Sequence, residues 1–214
     1  MSENSLKKIG VKFAESKQSR SQEAVKNLIE AAERIVESGD SSNLNARQLS
    51  KVSGYSLGSL VQRLGKVENV FLHTIAYGRE KHIKACCTQA ETFDVNKTAT
   101  EFAEYMVNLS IDTINNIVGP SIVRYYESRA LGRVSTLADI HAYTDEIIPT
   151  IIKVSTSNKT GTFREFSLYE AKYVARAIFL FIERPFAEND PLAGSDDHRR
   201  MASRQVASLL SVDK

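Results

Sequence analysis

Tryptophan is absent, cysteine occurs twice, and glycine and proline are scarce: 10 Gly and 4 Pro in 214 residues, about half the roughly 12% of ordinary usage. That scarcity disfavours an all-β fold, which needs a turn every few residues. The two cysteines, Cys86 and Cys87, are adjacent, so they cannot staple distant parts of the chain, and a disulfide scaffold is excluded. Their use fits a reducing compartment. Long apolar runs are missing as well. The longest, residues 174–182, is interrupted by Arg176 and is too short to span a bilayer. The first 20 residues carry Lys7, Lys8, Lys12, Lys17 and Arg20 around a short apolar patch, unlike the apolar core of a secretory signal. A soluble, cytoplasmic protein with no membrane partner is expected.

Apolar residues make up 42% of the chain and charged residues 25%, the balance of a globular protein rather than a disordered one. The formal charge is only +2, from 28 Lys+Arg against 26 Asp+Glu, and such a near-neutral total hides how the charge is distributed. Residues 1–66 hold 11 Lys+Arg against 7 Asp+Glu, and residues 67–214 hold 17 against 19. A basic N-terminal part therefore precedes a slightly acidic body, and local charge is what binding to a polyanion requires.

From residue 19 onward apolar residues recur at helical spacing, and alternation of period two is nowhere sustained. The fold class expected is all-α. Val25, Leu28, Ile29, Ala32, Ile35 and Val36 form the stripe of a first helix, opened by Ser19 with Gln22 and closed by Gly39. Asn45 with Gln48 opens a short second helix that stops at Gly54. Ser56 opens a third, ended by Gly65. A fourth helix is expected over about 67–90, and a fifth from the Thr98/Glu101 cap to Gly119. A sixth begins at Pro120 and a seventh covers about 135–154 with a kink at Pro149. Residues 155–161 read as a loop, and Thr162 with Glu165 caps an eighth helix. Residues 185–197 read as a second loop, ahead of a last helix over 198–210.

The sharpest signal is the segment 45–64. Gly54 stands where a helix-turn-helix needs a left-handed residue, small Ser50 permits close crossing of the second helix, and Leu49, Tyr55 and Leu60 take the inward positions. Ser56, Ser59, Gln62 and Arg63 are left on a polar outer face. Such a helix fits the major groove of B-DNA, where Gln pairs with adenine and Arg with guanine edges. Taken alone, the segment also fits a short helical hairpin that closes a core.

The run Arg47-Gln48-Leu49-Ser50, Ser53-Gly54-Tyr55-Ser56, Gly58-Ser59-Leu60, with Glu68 two residues after Lys66, resembles the DNA-binding domain of the tetracycline-repressor (TetR) family of transcription regulators. The resemblance covers about residues 19–72. It implies a basic arm over 1–18, a three-helix DNA-binding domain over 19–66, and a helical effector-binding and dimerisation domain over 67–214. It assigns phosphate or backbone contacts to Arg47, Ser56, Ser59 and Lys66, and sets Leu57, Gly58, Gln62 and Arg63 against base edges. Three positions depart from the family pattern: Val61 replaces a Tyr, Leu64 a Phe, and Val67 a Lys. The implied function is a homodimeric regulator, a repressor by family default, on a palindromic double-stranded operator and released by a small-molecule effector.

The expected dimer contact is read from helix 8, apolar on nearly every face, together with one face of the last helix. Its residues are Ala175, Ile178, Phe179, Ile182, Met201, Val206, Leu209 and Leu210. The same pattern fits a helix wholly buried within a monomer. An effector pocket, if these residues are not plain core, would draw on Tyr105, Met106, Asn108, Tyr125, Tyr126, His141, Tyr143 and Tyr169. The two cysteines read as structural thiols, with redox or soft-metal sensing as the alternative. No metal-ligand spacing, phosphate loop or catalytic motif occurs, so no cofactor and no enzymatic activity are expected. The competing function is an all-helical protein–protein adaptor that does not bind DNA.

Overall fold

The computed structural model describes residues 19–130 and 142–212. The fold is all-α. In chain order the helices are α1 (Ser19–Val36), α2 (Ala46–Ser53), α3 (Leu57–Leu64), α4 (Glu68–Glu91), α5 (Ala99–Thr113), α6 (Pro120–Ala130), α7 (Ile148–Ser157), α8 (Leu168–Glu188) and α9 (Asp196–Leu210). Short 3₁₀ turns occupy Ser41–Asn43 and Ala142–Ile147, and a π turn, Ile114–Val118, extends α5. No described helix is long and apolar enough to cross a membrane.

Compactness divides the chain differently from the boundary expected after Lys66. One unit comprises residues 19–78 with 117–130 of those described, and the other 79–116 with 142–212. The first is built around Leu28, Ala32 and Ile35 of α1, Leu49 of α2, Leu60 and Leu64 of α3, Phe71 and Ile75 of α4, and Ile122 and Tyr126 of α6, all buried. The recruitment of α6 has a clear cause. Gly119 (φ +85) lies so close to Gly39 that a Cβ there would stand 2.7 Å from the Gly39 carbonyl oxygen. The Ser121 hydroxyl donates to that same carbonyl at 2.8 Å and accepts the Ser41 N–H at 2.9 Å. The start of α6 is thereby fastened to the connection between α1 and α2, and Arg129 at its far end pairs with Glu68 at 3.3 Å.

In the second unit α9 packs along α5. Thr98 and Glu101 form the expected reciprocal cap of α5, and Lys97 adds an ion pair to Glu101 at 2.6 Å. The Lys97 hydrogen bond, followed by those from Thr98, draws the Glu101 carboxyl down to about 2. Several boundaries differ from sequence expectation here. Helix α8 starts at Leu168, capped by Ser167 and Glu170, instead of at Thr162. The chain around Phe163 is held extended against the residues that follow α9: Arg164 N–H bonds Leu210 O and Val212 N–H bonds Thr162 O, both at 3.0 Å. The Thr162 hydroxyl accepts the Ala99 N–H at 2.9 Å instead of capping its own helix.

Helix α8 also runs through Pro185, where a loop was expected, and ends at Asn189 with φ 58. Proline lacks the N–H that would bond the carbonyl four residues back. That carbonyl, Phe181 O, is satisfied by the buried His198 ring, whose Nε2 lies 2.9 Å away while Nδ1 accepts the Gly194 N–H at 2.9 Å. The two contacts make His198 the Nε2–H tautomer. Pro149 does not kink a long helix but stands in the first turn of α7, where its fixed φ fits; residues 135–141 of the expected seventh helix lie outside the described residues. The polar run taken for a loop from 155 stays helical to Ser157. The hydroxyls of Ser155, Thr156 and Ser157 bond carbonyls of the preceding turn at 2.9, 2.9 and 2.6 Å.

Five of the eight expected dimer residues lie in the interior of the single chain. Ala175, Ile178 and Ile182 of α8, and Val206 and Leu210 of α9, are buried within the single chain. Packing of α8 against α7 and α9, and of α9 against α5, already covers them, so they have no surface left for a partner. Phe179, Met201 and Leu209 are half-buried.

Candidate nucleic-acid interface

The α2–turn–α3 segment is assembled by local hydrogen bonds. Asn45 Oδ1 accepts the Gln48 N–H at 2.9 Å and opens α2. Gly54, at φ +75, ends it, a conformation that only glycine adopts without strain. The Ser50 hydroxyl then donates to the Tyr55 carbonyl at 2.6 Å, tying the turn back onto α2. Ser56 caps α3 by accepting the Ser59 N–H at 3.3 Å. Leu49, Leu60 and Leu64 are wholly buried, and Tyr55 packs half-buried against the same core.

The remaining faces are open. Ser56, Leu57, Gly58, Val61, Gln62 and Lys66 are exposed, and Ser59 and Arg63 are half-exposed at the edge. Leu57 at 51% and Val61 at 59% exposure put aliphatic surface into water beside Gln62. Arg63 does not extend outward freely: its guanidinium lies over the Tyr55 ring at 5.6 Å, and its Nε is buried without a hydrogen-bond partner. Arg47 is exposed on α2. Lys51, one turn further along α2, shares its face and is also exposed; sequence reasoning passed over it, though its i+4 spacing from Arg47 was visible.

Between Asp40 and Glu68 the chain contains no acidic residue, while Arg47, Lys51, Arg63 and Lys66 fall inside that stretch. Among the described residues none of these four is engaged in an ion pair. The departures from the family pattern resolve individually. Leu64 is an ordinary core residue with no exposure, Val67 packs against the core of the first unit, and Val61 is exposed and carries no hydroxyl.

The residues expected around an effector are divided between the two units. Tyr126 belongs to the core of the first unit, with Tyr125 half-buried against it. In the second unit Met106 is buried, and Tyr105 stacks against Phe93 at 5.3 Å and bonds Gln89 at 3.1 Å. Tyr169 is 71% exposed. His141 lies outside the described residues, as does the side chain of Tyr143. An open groove of about 840 Å³ runs between α5 and α9, lined by Thr100, Glu104, Asn108, Asp196, Arg199, Arg200 and Arg204 among others. Asn108 alone comes from the expected set, and it is bonded to Arg199 at 3.1 Å.

The thiols of Cys86 and Cys87 are half-buried, and burial raises both above the ordinary cysteine value. A raised value lowers the share of thiolate, the form that reacts with oxidants and soft metals. No group of described residues has the composition to hold a metal ion.

A scan against protein-family models and searches of curated proteins and of solved structures find no match to this chain.

Proposed function

We propose that this chain is a sequence-specific DNA-binding regulator of the tetracycline-repressor type, which binds a palindromic operator as a homodimer. The observation that carries the proposal is the outer face of α3. Leu57 and Val61, one turn apart on α3, stay more than half exposed, and they do so beside Gln62 in a stretch free of acidic residues; Ile117, the other exposed aliphatic side chain among the described residues of that unit, lies outside this stretch. Uncovered aliphatic surface of this kind marks a place that a partner covers. The B-DNA major groove supplies matching chemistry: thymine methyls for Leu57 and Val61, and the adenine edge for Gln62. Phosphates on either side suit Arg47, Lys51 and Lys66.

The test is retention of genomic fragments at about 50 mM salt, followed by sequencing of what is bound. A palindromic motif is expected, with affinity falling by roughly three to five orders of magnitude on going to about 200 mM salt if six or more phosphates are neutralised. A protein–protein adaptor retains no DNA at either salt concentration, and that result would sink the proposal.

A further inference from the structure

We infer that the groove between α5 and α9 binds a short zwitterionic peptide, its ammonium end on Glu104 and its carboxylate end on Arg204, with the Ser203 hydroxyl between them. These residues all belong to the second unit, so the site is independent of the α3 face and of DNA binding. The two helices run antiparallel. At one end Arg199 of α9 donates to Asn108 Oδ1 at 3.1 Å and pairs with Asp112 at 2.7 Å. At the other end the Ala99 N–H that opens α5 and the Val212 N–H just beyond α9 both reach Thr162. Stepped one turn from the bond between Asn108 and Arg199, that register sets Glu104 level with Ser203 and Arg204, and all three line the groove.

Glu104 and Arg204 are exposed and make no hydrogen bond or ion pair among the described residues. Opposite charges on facing walls that do not meet each other leave room for a molecule carrying both. Ser203 is only 8% exposed, and its hydroxyl too has no partner among the described residues. The usual alternative is the bond that Ser110 makes to the carbonyl four residues back at 2.8 Å. Without it the Ser203 hydroxyl stays open as donor and acceptor. The neighbouring charges are committed: Arg199 to α5 as above, Arg200 to Asp197, and Asp196 to the first turn of α9, where a carboxylate complements the helix start. A plain anion is repelled by Glu104 and a plain cation by Arg204, whereas a zwitterion satisfies both. Length selects a peptide. Packed helices lie about 8–10 Å apart, and two or three extended residues reach roughly 7–10 Å, while a free amino acid carries both charges on one carbon. The groove volume of about 840 Å³ accommodates such a ligand.

The experiment is an NMR titration of the full chain at neutral pH with dialanine, its N-acetyl form, its C-terminal amide and free alanine. Saturable binding of dialanine is expected, at least about 10-fold tighter than that of the other three, with the shifted resonances on α5 and α9. Glu104→Gln is expected to abolish the preference over the N-acetyl form, and Arg204→Gln the preference over the amide. Both positions are exposed, so circular dichroism should show the fold retained. Ser203→Ala should weaken dialanine while leaving both preferences in place. No saturable binding of dialanine overturns the site. Equal binding of the N-acetyl form or of the amide overturns the zwitterion, and equal binding of alanine overturns the peptide. Preferences that persist in the folded variants overturn the roles of Glu104 and Arg204. Retention of genomic fragments by the native chain stands or falls separately.

Discussion

Helices α3 and α8 both leave apolar side chains in water, yet the charge around them differs. Helix α3 has eight residues, of which Leu60 and Leu64 are buried, and a stop at Gly65. Its neighbours along the chain carry charges of one sign only. Helix α8 has 21 residues, buries Ala171, Val174, Ala175, Ile178, Ile182 and Phe186 on one side, and exposes tyrosine and leucine beside an internally neutralised Arg184 on the other. A surface of uncompensated sign calls for a partner of opposite sign. The exposed face of α8 is neutral in sum, with Arg184 paired to Glu188.

The largest expected effect tests whether the two faces of α3 are as different as they look. Leu60→Ala removes a side chain with no exposure and should cost about 2–5 kcal/mol of stability in a denaturant melt. Leu57→Ala, on the open face, should stay within about 0.5 kcal/mol while weakening operator binding. Equal destabilisation by the two would mean that the outer face is covered in the free protein, and the contrast with α8 would lose its basis.

Next in size is Arg63→Ala, expected to weaken operator binding by about 1–3 kcal/mol if the guanidinium leaves Tyr55 to read a base. A gel shift that shows no change would mean that Arg63 stays on Tyr55 and that the reading face narrows to Leu57, Val61 and Gln62. Gly54→Ala should cost about 1–2 kcal/mol through its positive φ alone, since nothing lies within 4 Å of the added Cβ. A neutral melt for that variant would show that the turn is less constrained than φ +75 implies.

The smallest effects distinguish the two units by their response to acid. In the first unit burial lowers His73 below its ordinary value of 6.5, so the imidazole is neutral when folded. The unfolded chain binds a proton first as pH falls through about 6.5, and stability is lost from there downward. In the second unit Glu101 is depressed to about 2 from 4.5, first by Lys97. Its contribution is present above about 4.5 and fades as pH falls from there toward 2. NMR titration should show the His73 ring titrating below its ordinary 6.5 and the Glu101 carboxyl titrating near 2; an ordinary midpoint at either would remove that unit's share of the difference.

The parts of the molecule legible in sequence were those governed by residues three or four apart. Asn45, Gly54, Ser56 and Gly65 bound α2 and α3 as expected, and Thr98 with Glu101 caps α5, because a cap is a bond between near neighbours. The same rule misled at Thr162 and Glu165. That pair has the capping spacing, but the stretch around Phe163 is engaged by Leu210 and Val212, and Ser167 with Glu170 caps α8 instead. Pro185 likewise reads as a helix end, since its compensation comes from His198, thirteen residues on. The outer face of α3 was visible as a list of polar positions; the placing of Arg63 over Tyr55 was not, because rotamers follow from packing.

By itself, then, the chain determined its helical class, its helix-turn-helix and the acid-free stretch around it, all properties of composition and of spacing within a few turns. Tertiary structure alone decided that α6 joins the first unit, through the approach of Gly119 to Gly39 and the bonds of Ser121. It also decided which apolar face of α8 stays open. Burial is the sum of contacts made by segments far apart in sequence, and α8 is apolar nearly all round, so only the placement of α7 and α9 against it leaves Tyr169, Tyr173 and Leu180 as the face without cover.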